Sequence, residues 1–355
     1  MSNTFGKLFK LHSFGESHGS AVGGIIEGMP AGFKINVEAL QTELNRRKAN
    51  TMAYSTSRME PDELVLLSGI ENGLCLGSPI GFLIWNTHQK PKDYQHLADS
   101  FRPSHADFTY LSKYGIQSKS GGGRSSARET LSRVVAGAMA QQVLKTKQIT
   151  VHSWIQQIGT IQCKDAWDFP QNNSTPVCPE PEVWNHMLKL IEECKMQGDT
   201  LGGRVRCKVT GIPPGLGEPV FDKLQARLGQ AIFSIPTVKA LSFSDGIGQA
   251  SMLGSETNDV FYTSSNGTIA TKTNHSGGIQ GGISNGMPLL MEAYFKPISS
   301  IQKPQDTVTK DGTPTQIQIQ GRHDVCVLPR VLPVVEAMTA MVVLDFWLLQ
   351  QSRKS

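Results

Sequence analysis

KLFKLHSFGESHGSAVGGIIE, residues 7–27, contains two strand-like runs in direct succession, Lys7–Phe14 and Val22–Glu27. Gly15 and Gly19 frame a short turn between them that carries Glu16, Ser17 and His18. A chain that passes from strand to strand without a helix between builds antiparallel sheet. The same turn reads as Gly-x-Ser-x-Gly, the nucleophile elbow of serine hydrolases, with Ser17 as nucleophile. That elbow requires a helix after the serine. The following residues, AVGGIIEGMP, hold three glycines and a proline and read as a second strand, so a serine hydrolase remains the runner-up function.

The pattern continues outward from this stretch. Glu63–Ser68, Pro79–Trp85, Gln148–Gln157, Arg204–Thr210, Val238–Ser244, Met287–Phe295 and Thr315–Gln320 are further strand-like runs bounded by Gly, Pro, Asn and Ser. A helix is expected from Asn36 to the cations Arg46, Arg47 and Lys48, which suit a helix C-terminus. A second runs from Ser126 to about Lys145. Ser126-Ala127-Arg128-Glu129 has the capping-box pattern, and Leu131, Val134, Val135, Ala138 and Met139 form one apolar face. A third runs from about Pro181 to Gly198 and a fourth from Val220 to Phe233. The fifth covers the apolar C-terminal region Val331–Leu349, with Pro329 and Pro333 pushing its regular start later. Strands are not regularly alternated with helices, so the fold class is α+β: antiparallel sheets with helices packed on them. Lys164–Glu182 is the single linker-like stretch.

Composition narrows the function classes. The 355 residues are 39% hydrophobic and 18% charged, with 35 glycines and 19 prolines, which suits a loop-rich globular enzyme. The net charge of +4 is spread without a basic run, so a small anionic substrate fits and a nucleic acid has no footprint. Six separated cysteines read as free buried thiols. The N-terminal residues have no apolar stretch of signal-peptide length, and Glu336 and Asp345 interrupt the apolar C-terminal region. That region therefore reads as a core helix and not a membrane span, and the cytoplasm is the expected compartment. No His/Cys spacing suggests a metal.

Four further constellations could carry chemistry. Gly121-Gly122-Gly123-Arg124-Ser125-Ser126 precedes a helix and resembles a phosphate cradle, with Arg124, Arg128 and Arg133 nearby; its bland alternative is a flexible loop. Arg102 and His105 in FRPSHAD could hold phosphate or carboxylate. Asn274–Ser284 offers glycines for close approach to a flat ligand, followed by Lys296, Pro297, Ile298, Ser299 and Ser300. In Gly321-Arg322-His323-Asp324, Arg322 could meet phosphate and Asp324 could accept a proton; the alternative for Asp324 is a helix N-cap.

Together these blocks resemble the chorismate synthase family. GESHGSAVGGIIEGMP (15–30), GGGRSSARETLSRVVAGAM (121–139) and GRHDVCVLPRVLPVVEAM (321–338) look like its three signatures. FRPSHADFTYLSKYG (101–115) and NHSGGIQGGISNGMP (274–288) look like two further family blocks. The resemblance implies one domain over residues 1–355, with helices sandwiched between antiparallel sheets, assembled as a homotetramer. It also implies an FMN-dependent lyase that removes phosphate from 5-enolpyruvylshikimate 3-phosphate to give chorismate, with the flavin reduced and no net redox change.

The resemblance further implies residue roles. His18 is similar to the family histidine that keeps the reduced flavin protonated, and His105 to the one near the substrate phosphate. Asp324 resembles the carboxylate that removes a proton through the flavin, and Ser17 and Ser126 its hydrogen-bonding supports. Arg124, Ser125, Ser126, Pro236, Thr237, Gly281, Lys296 to Ser300 and Arg322 match FMN positions, and Arg47 matches a position for NADP contact. Arg46, Arg102, Arg128 and Arg330 are expected on substrate anions. The chain departs from the family pattern at Ala53, where many members carry Arg, and at Pro236-Thr237, where many carry Asn-Ala. Proline has no N–H to offer a flavin.

Overall fold

In the computed structural model the turn after Phe14 returns the chain on itself. Lys10–Phe14 (β2) pairs antiparallel with Ala21–Glu27 (β3), Lys10 opposite Glu27 and Phe14 opposite Gly23. The structure describes residues 3–48, 60–87, 99–116, 122–164, 167, 177–265, 267–319 and 323–353. The expected strand from Lys7 starts only at Lys10. The N–H groups of Lys7, Leu8 and Phe9 donate instead to the buried carboxylate of Asp345, at 2.8, 2.7 and 3.0 Å. Thr4–Phe5 (β1), Leu64–Leu66 (β4) and Ile80–Trp85 (β5) complete the first sheet in the order β1-β2-β3-β5-β4, with every pairing antiparallel. Along β5, Ile80, Phe82 and Ile84 alternate into the core.

The second sheet holds Thr150–Ile158 (β6), Ile161–Gln162 (β7), Gly203–Thr210 (β8), Val238–Phe243 (β9) and Leu289–Phe295 (β10). Its order is β9-β10-β8-β6-β7, again antiparallel throughout. The expected run Thr315–Gln320 is the shorter strand Pro314–Ile317, outside both sheets, and Gln320 lies outside the described residues.

Helices fill the space between the sheets. Val37–Arg47 (α1) starts where expected, with the Asn36 side chain accepting from Ala39 N at 3.0 Å. Asp107–Tyr114 (α2) is a helix the sequence did not suggest. Thr130–Lys145 (α3) begins later than Ser126. Ser126 caps a 3₁₀ turn, Ala127–Glu129, accepting from Arg128 N, and Glu129 turns out to pair with Arg133 at 2.8 Å instead of closing a capping box. The single apolar face expected of α3 is too narrow. Ser132, Ala136 and Ala140 are buried as well, because this helix lies in the middle layer. Pro181–Met196 (α4) and Leu224–Phe233 (α5) follow, then the one-turn Gly254–Thr257 (α6). The start of α5 moves from Val220 to Leu224, whose N–H is anchored on Gly282 O at 2.8 Å.

Leu328–Arg353 (α7) starts earlier than its prolines suggest. Pro329 sits in the first turn, where no N–H is required, and the helix runs on through Pro333. It packs on α3, β6 and β8, while α3 packs on β2 and β3, giving the sheet–helix–sheet sandwich. Gly137 permits the α3–α7 crossing: a Cβ there would stand 2.2 Å from Cα of Ala337. Among the described residues α7 is the one helix long and apolar enough to cross a membrane, with mean hydropathy 1.8, and 89% of that stretch is buried inside the protein. It is the core helix expected. Its two carboxylates are matched: Asp345 by the N-terminal backbone, and Glu336 by Arg46 at 2.7 Å and by Ser153 N and Oγ. All six cysteines are buried thiols.

Candidate active site

At one end of the helix layer the ends of several elements enclose a cavity of about 500 Å³. The last residue of α1, Arg47, and the Lys48 that follows it enter from one side, and the approach to β4 brings Glu60 and Asp62. The segment leading into α2 brings Arg102, Ser104, His105 and Asp107, and the 3₁₀ turns before α3 bring Ser125, Ser126 and Arg128. The turn after α5 adds Pro236 and Thr237. Lys296 to Ser300 follow β10, and His323, Asp324 and Arg330 lead into α7. Among the described lining residues six Lys and Arg cations face four carboxylates. Such a wall suits an anion.

Three arginines are held by carboxylates. Arg102 forks onto Asp107 with two bonds of 2.7 Å. Burial pushes the Asp107 carboxyl up, but the Arg102 bonds outweigh it and hold the group below the usual aspartate value. Arg128 pairs with Glu60 at 2.9 Å and Asp62 at 3.0 Å, and Arg330 pairs with Asp324. Arg47 differs. It is 5% exposed, and its guanidinium donates to neutral oxygens, Thr130 Oγ1 at 2.9 Å and Ala127 O at 2.7 Å. Burial and the neighbouring Arg330 and Arg128 pull its pKa down to about 9, so it is still a cation at neutral pH, but one crowded by like charges. A bound anion relieves that crowding.

The imidazoles are arranged asymmetrically. His105 is tied at both nitrogens, Nδ1 to Pro103 O and Nε2 to Ser300 Oγ, each at 2.9 Å. His323 has a buried Nε2 with no hydrogen-bond partner. Burial and Arg102 lower the pKa of both rings. Thr237 Oγ1 is a second buried polar atom without a partner. Backbone strain collects here too: Asp62, Ser104 and Thr237, all in the wall, have φ of 48°, 58° and 72°. Positive φ is costly for a β-branched residue, and such strain is found where a site dictates the backbone. Pro236 and Thr237 occupy the two central positions of a turn closed by Val238 N on Ile235 O at 3.4 Å.

Of the expected site residues, the structure brings together Ser125, Ser126, His105, Arg47, Arg102, Arg128, Arg330, Asp324, Pro236, Thr237, Lys296, Ile298, Ser299 and Ser300. Pro297 sits inside that last run without lining the cavity, and Lys296 Nζ donates to its carbonyl. Others stand elsewhere. Arg46 is not in the wall; its bonds to Glu336 and Glu43 make it a core ion pair. Burial alone would lower its pKa, and Glu336 reverses this. Arg124 is turned toward the first sheet, donating to Ser13 Oγ at 2.7 Å and Gly15 O at 3.0 Å, so the cradle presents its backbone and serines, not this cation. Gly281 sits in the small hairpin Ile279–Gln280/Ile283–Ser284, which packs by Gly217 and Leu224, away from the wall.

Ser17 and His18 are not among the residues that line the cavity. Ser17 N donates to Gly123 O, and Asn86 Nδ2 donates to the carbonyls of Glu16 and Gly19 while its Oδ1 accepts from Arg128. The chain after Ser17 continues into β3, not a helix, so the nucleophile elbow is absent and the serine hydrolase reading falls. Asp324 does not cap a helix but holds Arg330. Arg322, Gly121 and Ala53 lie outside the described residues. Sequence reasoning missed Glu60, Asp62 and Asn86, two carboxylates and an amide with no motif of their own, and gave no role to Asp107, which closes the FRPSHAD block. It also missed His323, whose signal was its place between Arg322 and Asp324.

Comparison with known proteins agrees with this convergence. A family model described as chorismate synthase matches residues 9–348. The chain is 50% identical to a chorismate synthase of Phocaeicola vulgatus and 49% identical to one of Bacteroides thetaiotaomicron, each covering 99% of both chains. A Roseiflexus castenholzii chorismate synthase is 44% identical over 98% of both. A crystal structure of a chorismate synthase superposes with a TM-score of 0.77 at 27% identity, covering 98% of this chain and 93% of that one. The chain belongs to the chorismate synthase family of lyases.

Proposed function

We propose that the cavity binds 5-enolpyruvylshikimate 3-phosphate against reduced FMN and that the chain eliminates phosphate from it in the 1,4-anti sense, giving chorismate in aromatic amino acid biosynthesis. The observation that carries this reading is the gathering of His105, Ser126, Arg128, Asp324 and Arg330, from sequence blocks far apart, around one cation-rich cavity.

The substrate brings a phosphate and two carboxylates. Arg47, Lys48 and Lys296 offer charge whose hydrogen bonds now run to neutral oxygens. Arg102, Arg128 and Arg330 are pre-oriented by their carboxylates, which fixes the guanidinium planes before the substrate arrives. The residues also fit a flavin. Thr237 has a buried hydroxyl awaiting a partner, Ser125 and Ser126 edge the cavity, and Lys296 and Ser299 present a cation and a hydroxyl 2.5 Å apart. Pro236 contributes no donor there, so the hydroxyl beside it is the replacement this chain offers. Reduced flavin, when bound, supplies electron density as the allylic C–O bond breaks.

The protein's own contribution is placement and proton control. Of the four wall carboxylates, Asp324 is the one we assign to accept the proton, and Arg330 aims it. His105 is held in the cavity wall by Pro103 O and Ser300 Oγ, beside Arg102. The lining excludes bulk water with Ile235, Ile298, Val327 and Val331.

We further propose a cytoplasmic homotetramer of single-domain subunits that binds no nucleic acid and no membrane. NADPH is the reductant such an enzyme would draw on. Arg47 is deep in the wall, so its reach is to ligands inside the cavity. The test is anaerobic phosphate release from 5-enolpyruvylshikimate 3-phosphate with and without dithionite-reduced FMN, while chorismate absorbance is followed. Equal amounts of phosphate and chorismate, formed only with reduced FMN, are expected. Phosphate release without flavin, or none with folded and flavin-loaded protein, would overturn the reading.

A further inference from the structure

We propose that His323 is a substrate-binding residue: its Nε2 donates a hydrogen bond to a phosphate oxygen, and the ring takes up a proton as the phosphate dianion enters. This rests on the reading of the cavity as the site of a phosphate-bearing substrate and adds a second imidazole to it.

The geometry distinguishes the two cavity histidines. His105 already spends Nδ1 on Pro103 O and Nε2 on Ser300 Oγ, so it meets a ligand only by giving up a bond. His323 lines the same cavity with its Nε2 buried and without a partner. A buried ring nitrogen left unpaired is unfavourable, so a group that completes its bonding binds with that penalty relieved.

The surroundings select the ligand's sign. Arg102 and His105 face the ring from the segment before α2, Lys296 stands on the same wall, and Asp324, held by Arg330, is its own neighbour. A cation would be repelled by three of these groups, and a dianion is attracted by them. In the ligand-free protein, burial and Arg102 favour the neutral ring, with Asp324 opposing. A dianion reverses the balance: it cancels the field of Arg102 and gives the protonated Nε2 an acceptor. Binding and protonation are then linked, and the affinity for the dianion rises as the pH falls toward the ordinary histidine range. No bond is made or broken in this step; one proton moves from water to the ring.

The phosphate could come from the substrate or from the cofactor, and the experiment separates them. Inorganic sulfate is a useful probe because it stays a dianion near neutral pH, so every proton taken up belongs to the protein. Sulfate binding to the FMN-loaded enzyme is measured calorimetrically in buffers of different ionisation heat, for the parent chain and for His323→Gln, His323→Asn and His105→Gln. Glutamine keeps a donor near the Nε2 position but cannot titrate.

The parent chain is expected to take up protons on binding. His323→Gln should abolish most of that uptake with affinity reduced severalfold, and His323→Asn should lose more affinity. His105→Gln should retain the uptake. Uptake that survives in His323→Gln and disappears in His105→Gln overturns the assignment but leaves the anion site standing. Absence of sulfate binding in the parent chain overturns both. In the cofactor arm, flavin fluorescence titrations should give the same FMN affinity with and without His323. Weakened FMN with unchanged riboflavin binding would move the contact to the cofactor's phosphate and overturn the substrate assignment.

Discussion

The middle of the helix layer and the cavity at its end contain the same kinds of residue, but treat them in opposite ways. Around the α3–α7 crossing, Glu336 is 2% exposed and Asp345 is 4% exposed, and each carboxylate is covered by local donors. Gly137 and Ala337 allow the helices to meet closely. In the cavity, Arg47 is just as buried but is crowded by Arg128 and Arg330, and Thr237 Oγ1 and His323 Nε2 have no partner. Half of the described non-glycine residues with positive φ, Asp62, Ser104 and Thr237, line it. The carboxylates at the crossing are satisfied by the protein itself, whereas the cavity leaves Thr237 Oγ1 and His323 Nε2 for what it binds.

The largest expected effect separates chemistry from binding within the cavity. Asp324→Ala should lower turnover by about 10²–10⁴-fold, the range for a proton-transferring group, with FMN affinity retained. Near-normal turnover in the stopped assay would remove the assigned role and blur the contrast with the structural carboxylates of the core.

Next comes the core. Glu336→Ala should destabilise the fold by about 1–3 kcal/mol, because the Ser153 N–H and hydroxyl are left buried without their acceptor and the partly exposed Arg46 keeps only Glu43. Denaturant unfolding measures this, and a loss of activity in folded protein at unchanged stability would show that Arg46 and Glu336 act in the cavity after all.

The third prediction sets stability against function at one residue. Thr237→Gly should relieve a left-handed β-branched residue and raise stability by about 1 kcal/mol. The same change should weaken FMN binding severalfold because the hydroxyl is lost. Thermal melting and flavin titration read the two effects separately, and a loss of stability would mean that the strain at Thr237 is already offset within the protein.

The smallest effect is that of pH on ligand-free protein. His105 and His323 are held below the ordinary value of 6.5, so the unfolded chain binds protons before the folded one does. Their contribution to stability is full above that value and fades as the pH falls below it. Asp107, held low by Arg102, loses its share only beneath the usual 3.8. The melting temperature should therefore fall in two stages as the pH is lowered. The upper stage should shrink when sulfate fills the cavity, and an upper stage insensitive to sulfate would separate those histidines from the anion site.

Much of the architecture was legible without coordinates. The strand-like run Pro79–Trp85, the helix start at Asn36 and the carboxylates that interrupt the apolar C-terminal region are local signals, and each element appeared close to its expected place. The boundaries that moved did so because distant groups competed for them. Asp345 takes the N–H groups that would have begun the second strand, and Gly282 anchors the start of α5.

Sequence alone determined the family blocks, the α+β class and the kinds of side chain available for an anionic substrate. Tertiary structure decided which of them work together. Arg46 and Arg47 are neighbours on α1, yet their directions along a helix differ by about 100°, so one enters the core to meet Glu336 and the other enters the cavity. Arg124 and Arg128 diverge in the same way, toward Ser13 and toward Glu60. His105 and His323, far apart in the chain, become one pair with one tied and one open ring. Composition and spacing record a residue's chemistry. Its direction, and therefore its partner, is set only when the layers close.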